Sequence, residues 1–297
     1  MGNIDGCRIC GAALKKRFEI NTAQYGRCIG CGALLKILSE KEYHALEISY
    51  DPDPIKQAAS REQMRDLLDV KDKIKFWRKY APDFGKGTRF LDIGCGEGGQ
   101  LMATTEIGWK ACGLEPSVTH SQSAKDLGFS VINDYLNEGI YDPASFDVVL
   151  LSHVIEHILV PNHFLEVVMQ LVRPGGRVVI VTPNAAYNAA KLCGPNWMML
   201  QPIDHVSLLT QESFKEMDAI RRHQIHFATS EYSSEPLVTL LAALKGRFKP
   251  SKIVDAESPK KGISKSAQTL SLVPKLAQRL SGGLIDLCLK LLSLPWH

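Results

Sequence analysis

The sequence predicts an α/β fold built on a doubly wound parallel sheet, and three observations carry that prediction. Apolar runs of strand length, such as Val148-Val149-Leu150-Leu151 and Val178-Val179-Ile180-Val181, recur between residues 88 and 182. Runs that are apolar on both faces suit parallel strands covered by helices on each side. Stretches of helical period separate them, the alternation expected of a parallel sheet. The third observation is the segment Phe90-Leu91-Asp92-Ile93-Gly94-Cys95-Gly96-Glu97-Gly98-Gly99, where a run ends in a glycine cluster and a helix begins. Glycines at such a turn let a ligand lie against backbone N–H groups.

Composition narrows the class. The chain has 297 residues, 45% hydrophobic, with a formal charge of +3. That charge is too small to imply nucleic acid by itself. No run of apolar residues is long enough to predict a membrane span. Cys7 and Cys10 stand where the apolar region of a signal peptide would lie, so a cytoplasmic chain with reduced thiols is expected.

Residues 1–45 hold Cys7/Cys10 and Cys28/Cys31, two C-x-x-C pairs each followed by glycine (Gly11, Gly32). Such turns aim two thiolates at one point, and two of them predict a tetrahedral zinc site. Four cysteines fill every position, so the zinc is expected to be structural. The alternatives are four buried free thiols or a redox pair, and the pairs lie outside any βαβ pattern.

Residues 46–59, with Asp51-Pro52-Asp53-Pro54, read as a linker. Ser60 and Gln63 form a capping-box pattern before a helix carrying Met64, Leu67, Leu68, Ile74 and Trp77, which ends near Pro82. Strands are predicted at 88–93, 110–115, 129–132, 146–151 and 176–182. Helices are predicted at 97–107, 117–127 and 161–172, with a partial one from 153. Asp92, Glu115, Asp134, Ser152 and His153 then fall at or near carboxyl ends of strands, where ligands of such sheets bind. The long irregular stretch 183–209 is of the kind that serves function. Thr210 caps a helix over 210–222, and 224–232 reads as a strand. From 236 the chain is basic and apolar-rich; residues 242–297 carry ten Lys/Arg against three acids, and 284–296 reads as helix. The predicted organisation is a zinc-binding module at 1–45, a catalytic α/β domain at 46–235 and a helical C-terminal extension at 236–297.

The glycine turn resembles motif I of the class I S-adenosylmethionine (SAM) methyltransferases, hydrophobic-Asp-x-Gly-x-Gly-x-Gly, with Gly98 as third glycine. Ser145-Phe146-Asp147-Val148 through Glu156-His157 is similar to that family's fourth strand and following helix. Arg173-Pro174-Gly175-Gly176 is similar to its turn into strand five. The resemblance covers about 85–215 and implies a Rossmann-like sheet with SAM as cofactor. It implies that Asp92, Gly94, Cys95 and Gly96 hold the methionine moiety. It further implies that Glu115, followed by Pro116, takes the ribose hydroxyls, that Asp134 lies near the adenine amine and that Ser152 lines the site. Asp92 as a cap of the glycine turn, and Glu115 as a solvent-facing strand end, are the structural alternatives.

A weakly acidic acceptor such as a hydroxyl needs a general base. His153, where the methyl should face the acceptor, is the first candidate, and His205 the second; either has a structural hydrogen-bonding role as its alternative. Glu156 and His157 are expected to fix the local helix. The segment Pro195-Asn196-Trp197 to Thr210 resembles the acceptor-side loop of a bacterial subgroup that includes sugar and surface-polysaccharide methyltransferases. Trp197 would stack on a sugar ring or anchor the loop. Because the Asn-Pro-Pro-Tyr/Phe turn of many base methylating enzymes and a Pro-Cys nucleophile are absent, an oxygen on a glycan, small-molecule or lipid-linked acceptor leads. A ribosomal-RNA guanine methyltransferase gripping RNA through its zinc module is the runner-up, and a non-catalytic scaffold the third reading. A membrane-surface element at 270–297, at the inner face of the membrane, competes with ordinary packing or a dimer contact for that segment.

Overall fold

The computed structural model describes residues 6–20, 23–38, 68–187, 199–201, 204–227 and 290–292, with positions 42, 66, 190 and 197. The expected linker at 46–59, the capping box at Ser60, the polar stretch at 247–267 and most of 270–297 lie outside them.

Five parallel strands form the central sheet: β4 (Arg89–Ile93), β5 (Lys110–Leu114), β6 (Ser130–Ile132), β7 (Phe146–Ser152) and β8 (Val172–Val181). Their order is β6-β5-β4-β7-β8, so the direction of winding reverses between β4 and β7. That reversal opens a crevice at the carboxyl ends of these two strands.

Strand alternation sorts the apolar residues into two cores. Leu91, Ile93, Val149, Leu151, Val178 and Ile180 face one side. They pack against Leu165, Val168 and Leu171 of the helix α4 (Pro161–Leu171), and against Phe214, Met217 and Ile220. Phe90, Val148, Leu150, Val179 and Val181 face the other side, with Trp77, Leu101, Trp109 and Ala124. Trp77 comes from α1 (Val70–Tyr80), Leu101 from α2 (Gly99–Glu106) and Ala124 from α3 (Val118–Asp126). The Trp77 indole packs edge-on to Phe90, ring centroids 5.1 Å apart, while its N–H donates to Gln100 at 2.9 Å.

The strand and helix order agrees with the sequence reading, and the differences have local causes. β8 starts at Val172, before the Arg173-Pro174-Gly175-Gly176 turn. Its register against β7 jumps from Phe146↔Val172 to Val148↔Arg177, which accommodates the turn as a bulge within the strand. The helix expected over 210–222 is two short ones, α5 (Gln211–Lys215) and α6 (Asp218–Arg221). Thr210 caps the first with a reciprocal Ser213 box, its hydroxyl accepting the Ser213 N–H at 3.0 Å.

The C-terminal expectation is corrected. Lys290–Leu292, inside the segment read as helix, is a strand, β11, paired antiparallel with β10 (Gln224–His226) and lying beside β8. Leucine-rich periodicity fits helix or strand, and pairing with a waiting edge decides it.

At the other end, β1 (Leu14–Ile20), β2 (Ala23–Cys28) and β3 (Leu34–Ile37) form an antiparallel sheet. Its fourth strand, β9 (Ser207–Leu208), comes from the segment that follows the central sheet. Tyr25 and Leu34 pack with Ala185, Trp197, Leu200 and Leu208 in a core common to both segments. Trp197 is 7% exposed there, so it anchors the loop and does not present a stacking face.

Candidate active site at the switch point

The chain leaves β4 through Gly94 (φ 72), Gly96 (φ 53) and Gly98 (φ 86), all in the left-handed region that favours glycine. A Cβ at Gly94 would meet Val154 Cγ2 at 2.5 Å, so the turn packs directly under the start of the β7 crossover. A Cβ at Gly96 would meet nothing within 4 Å; its bare backbone faces open space. Cys95, between them, turns its side chain into the core against Gly113, leaving only its backbone to the turn.

Asp92 is 2% exposed, and its Oδ1 has no hydrogen-bond partner among the described residues. Burial, reinforced by the Glu115 carboxylate, raises the Asp92 pKa well above the usual carboxylate range, and Lys73 of α1 opposes the shift. Glu115 is also buried. Its Oε2 accepts the Gly96 N–H at 2.8 Å and its Oε1 the Ser117 N–H at 2.9 Å. It therefore fixes the glycine turn and the start of α3, and is not a solvent-facing strand end. Among the described residues, two buried carboxylates have one half-buried ammonium, Lys73, to offset them, which leaves the site short of positive charge. A cationic ligand would restore the balance, and SAM carries a sulfonium and an ammonium. The orphaned oxygen, the open space over Gly96 and the acidic pair fit that group.

Pro116 and Ser152 are half-buried at the carboxyl ends of β5 and β7. Asp134 is exposed past β6, and its Oδ1 accepts the N–H of Tyr135 at 2.7 Å. Asn133, not singled out in the sequence, donates instead to the Glu115 and Pro116 carbonyls at 2.8 and 2.9 Å. Val118, Ile132 and Tyr135 are exposed apolar side chains at these same strand ends. Lys73 was not legible either, because it is one of three alternate lysines on α1 (Lys71, Lys73, Lys75) and only packing turns it inward. Its Nζ donates to the Leu68 carbonyl at 2.7 Å, and burial lowers its pKa.

Across the crevice, His153 leaves β7 with φ 55, a conformation a side chain of this size adopts at a cost. Its backbone N–H donates to Val181 at 2.9 Å, and its Nδ1 lies 3.1 Å from Glu156 Oε1. The side chain remains 48% exposed. Glu156 itself is fully buried, and its Oε2 accepts from the Thr182 hydroxyl at 2.9 Å. Burial pushes its pKa up, yet the His153 hydrogen bond and the His153 and His157 charges outweigh burial and hold it low.

His205 is 5% exposed and its Nδ1 lies 2.7 Å from the Met199 carbonyl; burial lowers its pKa. Its ring meets that of His157 edge-on, centroids 4.8 Å apart. The two candidate bases thus differ in kind: His153 is open to the crevice, and His205 is enclosed.

The four N-terminal cysteines converge. Sγ atoms of Cys7 and Cys31 are 3.7 Å apart, those of Cys10 and Cys28 3.4 Å, and all four lie within 4.8 Å of one another. Thiolates around a tetrahedral zinc with bonds of ~2.3 Å sit about 3.8 Å apart. Amides of Gly30 and Cys31 donate to Cys28 Sγ at 3.3 and 3.4 Å, as thiolate ligands require. Hydrogen bonding from Cys31 pushes Cys7 down to about 5, while that same contact and burial push Cys31 up. Sulfurs this close do not all ionise without a cation among them.

The fold and the crevice define a doubly wound α/β protein with a glycine-turn ligand site at its switch point. A family model described as a methyltransferase domain matches residues 60–218, and the chain belongs to that family, as a class I SAM-dependent methyltransferase domain. It is 35% identical over 122 residues to a ubiquinone biosynthesis O-methyltransferase of Rhodopseudomonas palustris (strain TIE-1), covering 38% of this chain and 48% of that protein. A protein of the same name from Rhizobium johnstonii is 36% identical over 115 residues, 36% of this chain and 46% of its own length. The chain thus spans about half the length of the curated relatives it matches. Among solved structures, a SAM-dependent methyltransferase from Archaeoglobus fulgidus superposes with a TM-score of 0.50 at 18% identity, over 76% of this chain and 94% of that one, a likeness of fold.

Proposed function

We propose that the chain methylates a hydroxyl of a small, saccharide or lipid-linked acceptor, with SAM as donor. The observation that carries this reading is the pairing across one crevice of an acidic, cation-deficient pocket (Asp92, Glu115) with an open, strained histidine (His153). The name of the curated relatives, O-methyltransferase, supports oxygen as the methylated atom.

When bound, SAM supplies a methyl group on a cationic sulfonium that departs as a neutral thioether. Asp92 and the Gly94–Gly96 turn bind the methionine end, and Glu115, which retains acceptor capacity on each oxygen, binds the ribose hydroxyls. The exposed rim of Val118, Ile132 and Tyr135 covers the base. Alignment of donor and acceptor is worth roughly 7–11 kcal/mol of the barrier. His153 removes the acceptor proton. Glu156 holds the His153 Nδ1 proton, which makes Nε2 the basic nitrogen and stabilises the imidazolium that forms. His205, enclosed and committed through Nδ1 to a carbonyl, positions the loop. The four cysteines hold structural zinc.

The test is methyl-labelled SAM incubated with purified protein and an extract of cells lacking the gene, then fractionated. Label in the saccharide or lipid fraction, lost with H153N, is expected. Label confined to RNA and released by ribonuclease would overturn the acceptor assignment.

A further inference from the structure

Beside His153, the carboxylate that orients it and two imidazoles unused by the chemistry above converge. The ligand atoms of Glu156, His157 and His205 all lie within 4.8 Å of one another. They come from two places in the chain's path: the 3₁₀ turn after β7 (Ile155–His157) supplies two, and the loop before β9 supplies the third. Val206 N–H donates to the Glu156 carbonyl at 2.9 Å and locks these two segments together.

The tautomers are fixed by their partners. His157 Nδ1 lies 3.1 Å from the Asp204 carbonyl, and His205 Nδ1 lies 2.7 Å from the Met199 carbonyl. A carbonyl only accepts, so each Nδ1 carries the proton and each Nε2 the lone pair. An imidazole donating Nδ1–H to a backbone carbonyl is the usual support of a metal-bound histidine. Glu156 is supported likewise, by His153 on one oxygen and Thr182 on the other. Among the described residues its charged neighbours are histidines, with no guanidinium or ammonium beside a fully buried carboxylate.

We infer that Glu156, His157 and His205 bind a divalent transition-metal cation at the acceptor side of the crevice. Two nitrogens and one carboxylate suit zinc, manganese or ferrous iron better than magnesium or calcium, which take oxygen ligands. Three protein ligands leave positions open, as in metal sites that take a substrate. This deepens the proposed methyl transfer and rests on it: the acceptor class becomes one that ligates through oxygen, a hydroxyl beside a second oxygen donor. The cation would lower the pKa of the reacting hydroxyl, whose proton goes to His153.

The metal itself is the probe, on the full chain, without turnover. Protein loaded with Co2+ is expected to hold two equivalents. One shows the intense thiolate charge-transfer bands of the cysteine cluster, and the other only weak d–d bands of nitrogen and oxygen ligands. E156Q, H157Q and H205Q are each expected to lose the second set and retain the first. Two equivalents and unchanged spectra in all three variants would overturn the assignment. Should a variant fail to fold, 113Cd NMR of the unaltered protein decides: a second resonance in the nitrogen/oxygen range is expected, and a single thiolate resonance overturns the site. SAM binding, measured separately by calorimetry, tests the methyl-transfer reading independently, since its loss would leave the metal count unaltered.

Discussion

Asp92 illustrates a residue whose apo environment works against its own charge. Its carboxylate is buried beside Glu115 with Lys73, among the described residues, to offset it, and burial is the larger cause of its raised pKa. Asp92→Asn should therefore raise the thermal stability of the ligand-free protein, by on the order of 1 kcal/mol, while weakening SAM binding tenfold or more. Melting curves with and without SAM check both signs at once. His153 is the opposite case. Asn tolerates a positive φ better than His, but H153N also removes the hydrogen bond and charge that offset the burial of Glu156, so it should melt below the parent. Methyl transfer should fall by roughly 10²–10⁴-fold, measured as initial rate at saturating SAM. Asp92 and the glycines were legible because a turn that exposes backbone to a ligand leaves a pattern of fixed spacing. Lys73 and Asn133 were not, because only tertiary packing distinguishes them from the similar residues around them. Glu156 and His157 were visible as neighbours on one turn. Their convergence with His205 depends on how a distant loop returns.

Elements meet through Asp147 at the amino end of β7. Its carboxylate accepts the Arg89 backbone N–H at 2.7 Å, the Arg89 side chain at 3.3 Å and the Arg173 side chain, clasping β4, β7 and β8. Burial raises its pKa, but the Arg173 and Arg89 hydrogen bonds outweigh burial and hold it below 3.8. A depressed folded-state pKa means stability that is full above 3.8 and lost as pH falls through the lower folded value. D147N should lower stability at neutral pH by about 1 kcal/mol, the arginines being partly exposed. It should also flatten the acid limb of a Tm-against-pH curve below pH 4. Strands β4, β7 and β8 were readable as apolar runs because both faces of their central residues are buried. The bulge in β8 was not, since glycine and proline announce a turn without saying that the same strand resumes after it. Nor was β11, a three-residue strand whose conformation comes from its partner.

For the whole molecule, the cysteine module and the segment around β9, proposed to face the acceptor, are tied into one structure. β3 pairs with β9, the Thr210 hydroxyl donates to the Cys31 carbonyl at 2.7 Å, and the Tyr25 hydroxyl donates to the His205 carbonyl at 2.8 Å. Arg8 reaches the Val206 carbonyl at 2.8 Å. Replacing Cys10 or Cys31 by Ser should therefore act on acceptor handling: the acceptor KM rises several-fold while the SAM Kd stays within about twofold. Steady-state kinetics against SAM calorimetry on the same preparation checks it. Equal losses in both would mean that the module supports the domain generally.

The pairing of Leu34 and Leu35 with Leu208 and Ser207 also sets an order of events during synthesis. The cysteine cluster emerges from the ribosome complete, yet the strand that closes its sheet is made only after the whole central sheet. At roughly 5–20 residues per second, the open edge of β3 waits for tens of seconds or less, with its backbone groups available to any passing strand. Zinc captured early would stiffen that edge in its final shape. Scarcity of the metal at the moment of translation would then be felt as misassembly of nascent chains, before any finished enzyme exists to be inhibited.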